Sequence, residues 1–141
     1  MTHIVGFEVH NLSNRIRRTC QNSLGRKDDA LTPVHDFVLD YLCAHRYQDV
    51  FQRDVEEHLC VRRSTVSRIL QLMEKNGLIV RESVPQDGRL KKITLTDKAL
   101  RLHKSVEQAR AELEIRVTQG ISSADMEVFF RVLGQMQRNL E

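Results

Sequence analysis

Residues 60–96 read CVRRSTVSRILQLMEKNGLIVRESVPQDGRLKKITLT, and this stretch decides the fold. Val66, Ile69, Leu70 and Met73 recur at three- and four-residue spacing, which predicts a helix over 63–76 with one buried side. Ser64, Arg68, Gln71 and Lys75 fall on the opposite side, flanked by Arg63, Thr65 and Ser67. Asn76-Gly77 is a stop signal. Leu78 to Glu82 is a strand candidate, Pro85-Gln86-Asp87-Gly88 is turn chemistry, and Leu90 to Leu95 returns with Ile93 and Leu95 alternating against Lys92 and Thr94. A helix followed by a charged hairpin presents two basic probes suited to a nucleic-acid duplex.

Charge supports that reading. Residues 61–92 hold eight Lys/Arg against three acids, a net of +5, whereas the rest of the 141-residue chain sums to −2. A local excess of this kind is the footprint of a phosphate-binding surface, and also of an ordinary solvated basic face. The length favours one domain. No apolar run approaches a membrane span, and the N-terminus lacks the features of a secretion signal. Cys20, Cys43 and Cys60 are odd in number and widely spaced, which argues against a disulfide framework and for a reducing cytoplasm.

Working outward, Val5, Val9, Leu12, Ile16, Cys20 and Leu24 mark an amphipathic helix over about 5–25, with Arg15, Arg17 and Arg18 on its other side. Thr32-Pro33 starts a second helix, whose inward stripe is expected to be Val34, Phe37, Val38, Tyr41, Leu42 and His45. Asp49 is expected to cap a short helix over about 50–58 with Val55 and Leu59 inward. Across a tight turn from the helix at 63–76, it forms a helix-turn-helix. Thr96 caps a long helix over 97–119, and Ser122-Ser123-Ala124-Asp125 starts a last one, about 122–140, with Met126, Phe129, Phe130, Leu133, Met136 and Leu140 along one side. The fold class is therefore mainly α with a small β-hairpin wing.

Leu72-Met73-Glu74-Lys75-Asn76-Gly77-Leu78-Ile79-Val80-Arg81, then Asp87-Gly88-Arg89, then Ile93-Thr94-Leu95-Thr96 resembles the MarR family of bacterial winged helix-turn-helix regulators. The element order is similar over nearly the whole chain; the specific signature spans about residues 51–100. The resemblance implies a homodimer built from the helices at 5–25 and 122–140, with a winged lobe over 33–96 and a connecting helix at 97–119. It implies major-groove reading by the helix at 63–76, minor-groove contact by the wing, and an inducer that changes the spacing of the two lobes. It further implies that Asp87 orients or braces the wing arginine. The chain departs from the family pattern at Cys60, where a small residue is usual, at Arg62, where Ser or Asp would cap the helix, and at Glu56, where a small residue would let two helices approach.

The expected DNA contacts are Arg62, Arg63, Ser64, Thr65, Ser67, Arg68 and Gln71 on the helix, with Arg89, Lys91 and Lys92 in the wing. Arginine can hold guanine through two parallel hydrogen bonds, serine and threonine reach bases or phosphates, and an arginine gains from the negative potential of a narrow minor groove. The partner would be double-stranded DNA with a pseudo-palindromic operator, and the function that of a homodimeric repressor relieved by a small molecule. Alternatives are a winged-helix module for protein–protein assembly, an RNA-binding use, or an oxidant sensor acting through Cys20. No phosphate loop, nucleophile elbow or His-x-x-x-His or Cys-x-x-Cys pair is present, so neither enzyme, cofactor nor metal is expected.

Overall fold

A computed structural model describes residues 2–25 and 31–141. Six helices and one hairpin follow in the order α1 (Val5–Ser23), α2 (Pro33–Ala44), α3 (Gln52–Leu59), α4 (Arg63–Lys75), β1 (Ile79–Val84), β2 (Asp87–Leu95), α5 (Asp97–Val117) and α6 (Ser123–Arg138). The core lies under α4. Val66, Leu70 and Met73 expose none of their surface, and they pack with Val38, Leu39 and Leu42 of α2, Val55 of α3, Leu78, Ile79, Ile93 and Ala99. The expected α4 stripe is thus the stripe that is buried.

The end of α4 is held by several independent bonds. Gly77 adopts φ +70°, and its N–H donates to the Glu74 carbonyl while the Leu78 N–H donates to Met73, which closes the helix in a Schellman turn. The Thr96 hydroxyl then donates to the Gly77 carbonyl at 2.6 Å, and Lys98 Nζ to the Asn76 carbonyl at 2.7 Å. The same Thr96 oxygen accepts from the Ala99 N–H and caps α5. One residue therefore joins the end of the wing, the end of α4 and the start of α5.

β1 and β2 pair antiparallel from Ile79–Leu95 to Ser83–Lys91, after which Val84 pairs with Asp87. The reversal is tighter than the sequence implied: Pro85-Gln86 make the turn, and Asp87-Gly88 already belong to β2. Residues 88–90 lie between the partners of two adjacent β1 residues, a bulge that carries Arg89. Arg81 donates from Nε and Nη2 to the two Glu74 carboxylate oxygens, at 2.9 and 3.2 Å, and pins β1 to α4.

Some expectations are corrected. Asp49 does not cap α3. Phe51 is the cap residue, its N–H donates to Asp54 Oδ2 at 2.8 Å, and Asp49 instead pairs with Lys92 at 2.7 Å. Carboxylates at the start of α3 compete for the same role, and Asp54 sits in the first turn where its reach suits the exposed N–H. Phe37 is 50% exposed rather than inward, because the inner side of α2 is filled by Val38, Leu39 and Leu42. Val5, Val9 and Leu12 are also largely exposed, as are Phe129 and Phe130, and α6 buries no residue within the chain.

The two departures in the turn have a structural outcome. Cys60 ends α3 in the left-handed region at φ +53°, the single non-glycine residue with positive φ among those described. Arg62 stands at the N-cap of α4 with no side-chain cap bond. An L-residue in the left-handed region costs about 1 kcal/mol relative to glycine. Cys60→Gly should accordingly raise stability by about 1 kcal/mol in denaturant unfolding; an unchanged midpoint would show that the turn is unstrained.

Glu74 gives a pH-dependent check on the wing brace. Its hydrogen bonds from Arg81 hold the carboxyl below its usual range. A lowered native pKa adds stability above the ordinary glutamate range, and that stability is lost as pH falls through the native value. Because Glu74 is substantially exposed, Glu74→Gln should cost less than about 1 kcal/mol at pH 7. The difference from wild type should vanish in acid, while amide exchange in β1 rises at neutral pH.

Candidate nucleic-acid interface

The outward side of α4 and the bulged face of the wing border one another. Arg63 of α4 and Arg89 and Lys91 of β2 line a shared groove of about 440 Å3 together with Arg53 of α3, Arg81 of β1 and the single acid Glu56. Five guanidinium or ammonium groups line it against one carboxylate, with Arg81 already paired to Glu74, so the concavity is cationic. The groove arises because α3 and α4 cross at the Cys60 turn, while the hairpin leans back along α3 through the Ile93 N–H, which donates to the Val50 carbonyl at 2.8 Å.

The expected site residues separate into three groups. Arg62, Arg63, Ser64 and Thr65 occupy the exposed first turn and cap of α4, and Arg68 and Gln71 continue the exposed side. Nothing acidic stands in that first turn, so the free N–H groups and positive dipole end of α4 remain available to an anion. Arg89 and Lys91 are exposed in the wing. Ser67 and Lys92 are half-buried and already engaged: Ser67 Oγ with Gln52, and Lys92 with Asp49, which raises the Lys92 pKa. Lys92 thus enters the surface with its charge largely compensated.

Asp87 does not touch the Arg89 guanidinium. Its Oδ1 accepts from the Arg89 backbone N–H at 2.9 Å, so it fixes the bulge from which the side chain projects. Arg53, Arg81 and Gln52 were not singled out by the sequence. Arg53 and Gln52 lie on a helix whose apolar positions alone carried a signal, and Arg81 is paired through space with a residue seven positions away.

A second cluster joins the winged lobe to the long helix. Asp40 of α2 accepts from His103 Nε2 at 2.9 Å and pairs with Arg110 Nη1 at 2.6 Å. Burial opposes the Arg110 charge, but the Asp40 carboxylate outweighs it and holds the Arg110 pKa above its ordinary value. Further along, Leu12, Arg15, Ile16 and Thr19 of α1 and Leu113, Arg116 and Val117 of α5 line a cavity of about 220 Å3. Cys20 is buried, and burial raises the Cys43 thiol pKa. Cys60 is exposed in its turn. No group of three metal-ligating side chains and no helix long and apolar enough to cross a membrane occurs among the described residues.

Comparison with known proteins agrees with this geometry. The model of the MarR family matches residues 31–90. The HTH-type transcriptional repressor IacR of Pseudomonas putida is 26% identical over 88 residues, which are 62% of this chain. That match spans 53% of IacR, about half its length. MepR of S. aureus, solved as a DNA complex, superposes with a TM-score of 0.88 at 25% identity, covering 99% of this chain and all of that one. PcaV of Streptomyces coelicolor, solved with its natural ligand, superposes with a TM-score of 0.83 at 23% identity over the full length of both chains and shares the fold. The fold of this chain is that of these structures, and its residues 31–90 are similar to the MarR family.

Proposed function

We propose that the protein is a cytoplasmic transcriptional repressor that binds double-stranded DNA as a homodimer. The observation that carries this reading is the cationic groove that Arg63 shares with Arg89 and Lys91, between the free N-terminus of α4 and the wing. A helix end and an arginine-bearing wing at this separation suit adjacent major and minor grooves of one duplex. Arg62, Arg63, Ser64, Thr65, Arg68 and Gln71 then face bases and phosphates of the major groove. Arg89 enters the minor groove, Lys91 lies along the backbone, and Asp87 keeps the bulge in shape. The DNA complex of MepR and the repressor name of IacR point the same way.

The apolar surface left open by α1 and α6 supports the dimer. Phe7 is 62% exposed and Phe130 58%, and Ile4, Val9, Leu12, Val128 and Phe129 extend the same kind of surface. Apolar exposure on this scale marks an interface. A two-fold dimer places two α4 helices against two half-sites about one helical turn, roughly 10 bp, apart. The cavity between α1 and α5, with apolar walls and the two arginines Arg15 and Arg116, suits a compact apolar anion as inducer. Such a ligand acts by favouring one lobe arrangement over the other.

In a gel shift with the protein's own upstream region, Arg68→Ala and Arg89→Ala should each weaken binding by about tenfold or more, and affinity should fall steeply with salt. If neither change weakens binding at moderate salt, the two probes are misassigned. In sedimentation, wild type should run as a dimer and Phe130→Glu should shift it toward monomer while keeping its helical content. A wild-type monomer at micromolar concentration would remove the dimer.

A further inference from the structure

Gln52 opens α3, and its side chain crosses to α4. Its Nε2 lies 3.1 Å from Glu56 Oε1, 3.4 Å from the Arg63 carbonyl oxygen and 3.0 Å from Ser67 Oγ. A carboxylate and a backbone carbonyl only accept, so the amide nitrogen, and not the amide oxygen, must face this point. Ser67 Oγ therefore accepts from Gln52 and keeps its one proton for another partner.

The usual destination of that proton in a helix is the carbonyl four residues earlier. This chain shows the habit twice on α1, where Thr19 donates to the Arg15 carbonyl and Ser23 to that of Thr19. At Ser67 the corresponding carbonyl, Arg63, is already approached by Gln52. Ser67 stands on the flank of α4, between the α3 contact and the exposed row of Ser64, Arg68 and Gln71.

We propose that Gln52 is a positioning residue that presents the Ser67 hydroxyl as a hydrogen-bond donor to a base edge. The half-site position beneath Ser67 must then offer an acceptor in the major groove: guanine O6 or N7, adenine N7 or thymine O4. The inference rests on the DNA-binding reading above and adds to its contacts the Ser67 hydroxyl, whose lone pair is engaged by Gln52 while its proton is not. Without Gln52 the hydroxyl can turn inward or accept from an exocyclic amine, and discrimination at that one position falls.

The test is a scan of every base pair in one half-site by fluorescence anisotropy, with wild type, Gln52→Leu, Ser67→Ala and the double variant. One position should exist at which wild type loses about three- to tenfold in affinity when the acceptor is removed, 7-deazapurine substitution included. At that position Gln52→Leu and Ser67→Ala should each abolish the loss, with the double variant no different from either. Gln52→Met, of similar length and without a donor, repeats the test if Gln52→Leu does not fold. A Gln52 variant that weakens all sequences equally, random DNA included, overturns the proposal and leaves Gln52 as packing. So does an effect that simply adds to that of Ser67→Ala. If wild type itself prefers no sequence over random DNA, the DNA-binding reading falls with it, and that failure is seen without any substitution.

Discussion

Burial of one side of α4 is the constraint on which the rest depends. Val66, Leu70 and Met73 have no surface in contact with solvent, and each is separated from the next by about one helical turn. Their burial fixes the rotation of the helix about its axis. Once that rotation is set, Ser64, Arg68 and Gln71 can only point outward. Truncating Leu70 or Met73 to alanine would leave a cavity costing about 2–5 kcal/mol, so the rotation is held far more firmly than any surface ion pair could hold it. Outward polarity is thus a consequence of inward packing.

The same packing positions the wing. Leu78 and Ile79 leave the Schellman turn straight into the core, and Ile93 returns to it from β2. Leu78 just ahead of β1, Ile79 at its start and Ile93 on β2 anchor the base of the hairpin, while its tip carries no core residue. Polar devices add to this anchor, the Arg81–Glu74 pair on one strand and Lys92–Asp49 on the other, while at the tip Asp87 shapes the bulge. Each is weak on the scale of the core. The base of the wing is therefore stiff and its tip, with Arg89, lightly held.

Much of this could be read from residue order, because it depends on periodicity and on turn chemistry. The stripe of α4, the Asn76-Gly77 stop and the Thr96 cap are local signals, and each appears in the structure at its expected place. What could not be read depends on pairs brought together from a distance. Asp49 looked like a cap because it precedes a helix; its actual partner, Lys92, lies on the far strand. Gln52 and Ser67 are fifteen residues apart and carry no period. The α1 and α6 stripes were legible as apolar but not as unfilled, since periodicity reports that a side wants burial and not whether the same chain supplies it.

The long helix α5 is the mechanical link between these two halves of the molecule. Its first half packs on the lobe: Ala99 is buried in the lobe's core and His103 reaches Asp40 of α2, which Arg110, just past the midpoint, also reaches. Its second half belongs to α1, where Leu113 and Val117 face Leu12 and Ile16 across the cavity. A single helix cannot bend sharply without a proline, glycine pair or bulge, and α5 contains none. Displacement at the α1 end must therefore rotate the lobe end, or break its bonds to Asp40. Arg110 Nη2 in this cluster is buried with no hydrogen-bond partner among the described residues. The Asp40 cluster is thus the joint between α5 and the lobe, and the α1 seam the joint at its other end.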